Sequence, residues 1–420
     1  MRSLPDGLTG AVMAVESISD AAVLLHGPGG CRVRHMVHSS ESFARLDRGD
    51  YSGDFFYGYP RVPATYLDEY DYIHGASFKV GEAISEIDGH SPALTVIIDS
   101  PGASLIGDDH RGSNRAFPGT SVVLPLDEAM ASLPASMVYD RTMETIMESI
   151  HTAKGRTIKG SVNILGLSIM DRDWKATLGE ATAALEGMGL RVLSAPGAGS
   201  SVEELRWSVN AEYNVVVCPE YCRRLVDFYE VIGVKTIRPV DGAPVGLDAT
   251  ESWLDGVASF TGRNPLRVKR KIHTCREHVH SRLVASMFDT MKLKGMTFSV
   301  AADASVARPL TEWLVEYLGM APVAIATDPG SDPEEERLLE GFLSNLGFSD
   351  AFGKEPEDGS DVVLCEGIVA STMELNGSCS IGIPIGRSSM DPPGIVPRPI
   401  YGLQGSLYIL DSIVRGSRLL

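Results

Sequence analysis

The chain has 420 residues, 44% hydrophobic and 22% charged, with a formal net charge of −18. At roughly 150 residues per domain this predicts two or three units, each able to bury a core. The acidity argues against a nucleic-acid face, no charge-free apolar run approaches the roughly 20 residues of a membrane span, and a soluble cytoplasmic protein is expected.

In the first third, apolar runs predict strands at Ala22-Val23-Leu24-Leu25, Leu94–Asp99 and Ser121–Leu124. The middle third repeats the theme at Ser161–Gly166, Leu190–Leu193, Asn214–Val217 and Val234–Ile237, and the last at Met296–Val300, Pro322–Ala326 and Asp361–Leu364. Strands separated by helix-length segments predict parallel sheets with helices on both faces. The expected fold is therefore α/β, with three Rossmann-like doubly wound domains over 1–155, 156–285 and 286–420. One break lies near Lys154-Gly155-Arg156. The other follows a basic helix that Asn264 caps and Pro265 opens, running toward Met291 as a connector. The basic face of that helix is expected to meet solvent.

Ligands of doubly wound folds sit beyond the carboxyl ends of the strands. The most informative such turn is His26-Gly27-Pro28-Gly29-Gly30-Cys31, followed by Arg32, Arg34 and His35. Glycines there clear an approach to the backbone, and one thiol stands among basic side chains. Two readings stay open: a free cysteine in an ordinary βα turn, or a thiolate holding something large and anionic such as an iron–sulfur cluster. No turn matches a dinucleotide fingerprint or a P-loop. Cys218 and Cys222 lie four residues apart, as a metal or redox pair or as two small hydrophobes. Cys275 with His273, His278 and His280 matches no closed tetrahedral spacing. Six cysteines without a small disulfide-rich segment suit a reducing compartment.

Four segments carry a family resemblance. His26–Cys31 is similar to an H-G-P-x-G-C cluster loop, and Leu67–Lys79 resembles the L-x-E-x-D-x-x-x-G-x-x-x-K segment that follows it. Leu105-Ile106-Gly107-Asp108-Asp109 resembles an I-G-D-D turn, and Pro399–Gly405 a C-terminal G-Y-x-G region. Together, in this order and spacing, they resemble the subunits of nitrogenase component 1 and its relatives, dark-operative protochlorophyllide reductase, Ni-sirohydrochlorin a,c-diamide reductive cyclase and cofactor-assembly scaffolds.

The resemblance implies three Rossmann-like domains and a two-subunit core. It also implies a 4Fe-4S or larger cluster at the subunit interface, fed by an ATP-hydrolysing iron-protein-type reductase. Cys31 then takes the place of the cluster-binding loop cysteine, with His26, Gly29, Gly30 and Arg34 around the cofactor. Cys218 falls where the catalytic nitrogenase subunit holds its iron–molybdenum cofactor, as a second metal ligand, and the histidine partner of that cofactor corresponds to Tyr401. The chain departs from the pattern in having no cysteine within residues 1–20 and none just before the I-G-D-D turn. One cysteine does not complete a four-thiolate cluster. A homodimer would supply two, and a heteromer with a paralogous component 1 subunit would supply others; Asp6, His26, His35 and Asp99 are the nearest completing candidates. Two function classes follow. In one, the chain reduces a substrate in the interdomain cleft, a tetrapyrrole whose carboxylates suit Arg32, Arg34 and Arg238, with Arg61, Asp68, His74 and Tyr401 as candidate catalytic groups. In the other it is a noncatalytic subunit or assembly scaffold. Outside the family, a sugar-nucleotide transferase with tandem Rossmann domains would be a colourless protein.

Overall fold

A computed structural model describes residues 2, 4–31, 35, 62–108, 110, 120–285, 293–356, 359–387 and 396–417. Eleven strands among them form three sheets, and every pairing is parallel. The first sheet joins β1 (Ala21–His26), β2 (Leu94–Asp99) and β3 (Thr120–Pro125) in the order 1-2-3. The second joins β4 (Ile158–Leu165), β5 (Arg191–Ser194), β6 (Ala211–Val216) and β7 (Lys235–Ile237) in the order 5-4-6-7. The third joins β8 (Thr297–Ala302), β9 (Ala321–Thr327), β10 (Val362–Cys365) and β11 (Ile381–Pro384) in the order 11-10-8-9. Chain direction across the sheet reverses between β4 and β6 in the second and between β8 and β10 in the third, so each of these has a switch point. The ten expected strands are present, and β11 is an addition to them. Its run Ile381-Gly382-Ile383-Pro384 is short and interrupted by glycine and proline, which lower strand propensity.

Helices cover both faces, and strands shielded twice are buried along their length: all six residues of β2 are buried. Helix α1 (Gly7–Glu16) is buried along its whole length against α2 (Ala135–Ile150). Their approach requires Gly10, because a Cβ there would stand 2.3 Å from the Ala135 carbonyl oxygen. One apolar cluster runs from Leu8 through Leu165 and Val300 to Ile413, joining all three sheets. The basic helix α3 spans Leu266–Ala285 among the described residues, with Ile272 its one buried residue. Its cations meet solvent and neighbouring carboxylates, as in Lys269 with Asp255 at 2.7 Å and Arg276 with Asp248 at 2.8 Å. Helix α4 (Gly402–Ser417) closes the chain against β11 and the helices Trp174–Gly187 and Leu247–Thr261. No helix among the described residues is long and apolar enough to cross a membrane.

Candidate functional site

Two groups of side chains gather beyond the carboxyl ends of strands. The first belongs to β1 and β2, whose last residues, His26 and Asp99, are paired in register. Beyond them the backbone turns through Gly27 and Pro28 to Cys31, whose N–H donates to the Pro28 carbonyl at 3.2 Å. Cys31 is half-buried, forms no disulfide among the described residues, and packs at the margin of the core. A Cβ built at Gly30 meets nothing within 4 Å among the described residues, whereas one at Gly29 would lie 2.8 Å from the Tyr66 ring. Tyr66 itself adopts φ +52°, a left-handed conformation costly for an aromatic residue. Tyr72 flanks the same corner: its hydroxyl would stand 2.8 Å from a Cβ at Gly102. Burial raises its pKa, and the charges of Cys31 and Asp71 raise it further.

His26 is fully buried. Its Nδ1 lies 3.0 Å from Thr65 Oγ1 and its Nε2 3.1 Å from Asp108 Oδ2, and Asp108 also accepts the Ala76 N–H at 2.9 Å. Burial pushes the imidazole below its ordinary pKa, against the opposing pull of Asp99. His26 is thus part of the floor beneath the Cys31 turn. Arg34 and Arg61, and with them Arg32, lie outside the described residues.

Asp68 and His74 flank a short helix, Glu69–His74. Asp68 caps it, its carboxylate accepting the Tyr70 and Asp71 N–H groups at 2.9 and 3.1 Å. His74 is exposed, its ring centroid 4.1 Å from that of Tyr70. Of these two candidate catalytic groups, Asp68 thus holds a helix end and His74 lies on a solvent face. The buried carboxylate of this segment is Asp71, which Lys79 Nζ engages at 2.5 Å. That hydrogen bond, more than any other influence, holds the Asp71 carboxyl below its usual range.

The second group lies where the carboxyl ends of the second and third sheets face each other. Asp171 follows β4, Cys218 follows β6, Asp303 follows β8 and Arg387 follows β11. The Arg387 side chain, 9% exposed, forms ion pairs with Asp171 and Asp303. Its Nη2 donates to Tyr401 Oη at 3.0 Å and to Cys218 Sγ at 3.4 Å, and its guanidinium lies 3.9 Å from the centre of the Tyr221 ring. Cys218 is completely buried and its thiol donates to Glu220 Oε2 at 3.1 Å. Glu220 in turn accepts Ser305 Oγ at 2.6 Å and the Ser305 N–H at 3.0 Å, tying β6 to the helix after β8. Burial, then the Glu220 charge, push the Cys218 thiol far above its ordinary pKa. Burial also raises Asp171, which Arg387 pulls back.

The structure thus brings Cys218 and Tyr401 together, with Arg387 between them. The expectation that Cys218 holds a second metal cofactor meets a thiol that is completely buried, with Arg387, itself paired with Asp171 and Asp303, beside its sulfur. Cys222 is no redox partner for it, its Sγ instead meeting the Cys218 carbonyl at 3.5 Å. Beside the group lies a cavity of about 290 Å³ lined by Leu133, Ser136, Tyr221, Asp303, Asp328 and Arg387. Three carboxylates on its wall, Asp6, Asp303 and Asp328, make a poor seat for a carboxylated ligand. Arg238, expected to meet such a ligand, pairs with Glu230 at 3.0 Å on the surface. Arg387, Asp171 and Asp303 escape sequence reasoning because each is a single charged residue in no motif. The available signal is an apolar run ending in glycine, Ile381 to Gly386, immediately before a charge.

A family model, nitrogenase component 1 type oxidoreductase, matches residues 7–358. A light-independent protochlorophyllide reductase subunit of Methylobacterium sp. (strain 4-46) is 25% identical over 424 aligned positions, covering 96% of this chain and 78% of that protein. The subunit of the same name from Synechococcus sp. (strain RCC307) is 22% identical, covering 96% of this chain and 77% of its own length. Among solved structures, nitrogenase Cp1 at pH 6.5 superimposes with a TM-score of 0.77 at 15% identity, over 100% of this chain and 93% of that one. With that fold built on three parallel sheets and a family match over most of its length, the chain belongs to the nitrogenase component 1 type oxidoreductases.

Proposed function

We propose that this chain is a component 1-type subunit of an electron-transfer complex and donates one ligand, Cys31, to an iron–sulfur cluster where two subunits meet. The observation that carries this reading is the contrast between its two strand-end thiols. Cys31 is half-exposed, next to Gly30 whose position no other described residue crowds, whereas Cys218 is completely buried. The donor set fits a shared cluster: Cys31 is the only cysteine in residues 1–155, so the remaining ligands come from a second copy or a paralogous subunit. When bound, such a cluster passes electrons one at a time. The chain's own part is to present the thiolate at the end of a rigid strand, keep the backbone clear at Gly30 and hold neutral His26 beneath the turn. The donor is an ATP-hydrolysing reductase of the iron-protein type, and the substrate class, supported by the names of the similar subunits, is a tetrapyrrole.

A second reading is favoured by one observation, the Arg387 group filling the place of a cleft cofactor. On it the chain is a noncatalytic or scaffold subunit, and the paralogous partner carries the substrate. We place the protein in the cytoplasm, where free cysteines persist, with 155 and 285 as domain limits. Anaerobic purification with iron and sulfide analysis, alone and with a coexpressed paralogous subunit, tests the proposal. Iron is expected to be lost in Cys31→Ala and retained in Cys218→Ala. Absence of iron and sulfide from both preparations, or their survival in Cys31→Ala, refutes it. Substrate reduction by a homodimer with its reductase favours the catalytic reading, and a requirement for the paralogue favours the second.

A further inference from the structure

Three buried side chains from separate segments converge at the carboxyl edge of the first sheet: His26 ends β1, Asp99 ends β2, and His110 follows the Ile106-Gly107-Asp108-Asp109 turn. They are 0%, 7% and 5% exposed. One ring nitrogen or carboxylate oxygen from each lies within 4.8 Å of the other two. His110 Nε2 is 2.9 Å from Asp99 Oδ1, and the two imidazoles meet edge to face with centroids 5.1 Å apart. We infer that His26, Asp99 and His110 form a binding site for one divalent first-row transition ion, distinct from the Cys31 thiolate and independent of the function proposed above.

The donor set decides the class of ion. Two imidazoles and one carboxylate are nitrogen-rich and borderline-soft, which suits Zn(II), Fe(II) or Co(II) and not the all-oxygen preference of Mg(II) or Ca(II). Three protein ligands also leave at least one position open. Metal–ligand bonds of ~2.0–2.2 Å place tetrahedral donors roughly 3.4 Å apart, so a triad whose atoms lie within 4.8 Å of one another, with the His110–Asp99 pair at 2.9 Å, needs shifts of no more than about 1.4 Å between donors. Liganding histidines are oriented by an acceptor on the second ring nitrogen. His26 has a partner on each ring nitrogen, Thr65 Oγ1 and Asp108 Oδ2, so ligation exchanges one of these contacts for the ion while the other orients the ring, and Asp108 is itself fixed by the Ala76 N–H. Electrostatics point the same way. Two carboxylates, Asp99 and Asp108, face this pair of imidazoles in a water-poor site. A dication offsets their charge.

The test uses the full-length chain carrying Cys31→Ala, so that no interface cluster contributes, stripped with a chelator and titrated with CoCl2 followed by ZnCl2 competition. One Co(II) per chain is expected, with visible d–d bands, no sulfur-to-cobalt charge transfer, and displacement by Zn(II). His110→Gln and Asp99→Asn are each expected to weaken binding at least ~100-fold, and Asp108→Asn by ~10- to 100-fold, with far-UV spectra matching the parent. His110→Gln keeps a hydrogen-bonding side chain beside Asp99, so it decides the matter if Asp99→Asn does not fold. Failure of the parent to take up Co(II), undiminished binding in His110→Gln, or thiolate bands overturns the assignment and leaves a hydrogen-bonded His–Asp pair. Iron bound through Cys31 would survive any of these results, so failure here and failure of the cluster proposal are separable.

Discussion

Replacing Arg387 by Met tests whether the group at the junction of the second and third sheets is a seal. The guanidinium serves two buried carboxylates, Asp171 and Asp303, with side chains 1% and 8% exposed. Removing one partner of a buried pair costs ~3–5 kcal/mol, since a charge is left without compensation. Two stranded carboxylates would double that figure were both to stay ionised. Burial already pushes Asp171 upward, however, so without Arg387 it takes up a proton and the cost stays near the single-pair value. At 1.36 kcal/mol per decade, ~3–5 kcal/mol raises the open population by about 10²- to 10⁴-fold. The assay is the rate of Cys218 alkylation under native conditions, resolved by peptide mass spectrometry, because a completely buried thiol reacts only through opening. A rise of at least ~100-fold is expected. The triple variant Arg387→Met/Asp171→Leu/Asp303→Leu should recover most of the protection, since an apolar replacement of a whole ionic group is close to neutral. A rate within a few fold of the parent in Arg387→Met would refute the reasoning: the junction would then be held by packing alone.

Asp140, on α2, accepts the Arg224 and Leu225 N–H groups at 2.8 and 3.1 Å, yet burial pushes its carboxyl from 3.8 up to about 6. The fold therefore holds this proton more tightly than the unfolded chain does. Its contribution to stability is full below pH ~4 and is lost as pH rises through about 6, by about 3 kcal/mol; urea unfolding of Asp140→Asn should lack that slope, and an identical pH profile would count against it. Gly166→Ala is expected to destabilise by ~1–3 kcal/mol from its φ of +84° alone. The new Cβ would also lie 2.1 Å from the Cys218 carbonyl oxygen, so faster Cys218 alkylation should accompany the loss in melting temperature. Asp68→Ala should cost about 1 kcal/mol through its helix cap and leave iron content unchanged; a loss of iron would return Asp68 to the site.

Much of the architecture is legible in the sequence because strand and helix signals are local. Doubly covered strands announce themselves as apolar runs, and the turns between them by glycine, so ten strands and the glycine turn that bears Cys31 can be read directly. β11 cannot, because Gly382 and Pro384 dilute its four residues. The chemistry divides along the same line. Cys31 is readable as a thiol in a glycine turn, since its surroundings are its own neighbours in sequence. The state of Cys218 is not, because Glu220, Ser305 and Arg387 seal it from three different strand ends. His26 and Asp99 are each visible as strand-end residues, but their register pairing and the arrival of His110 belong to the folded sheet. Sequence by itself determined the repeating strand–turn–helix order and where the Cys31 thiol emerges. Tertiary structure alone decided which charges share a buried site, because burial and distance set their energies, and both arise only when segments remote in the chain are packed together.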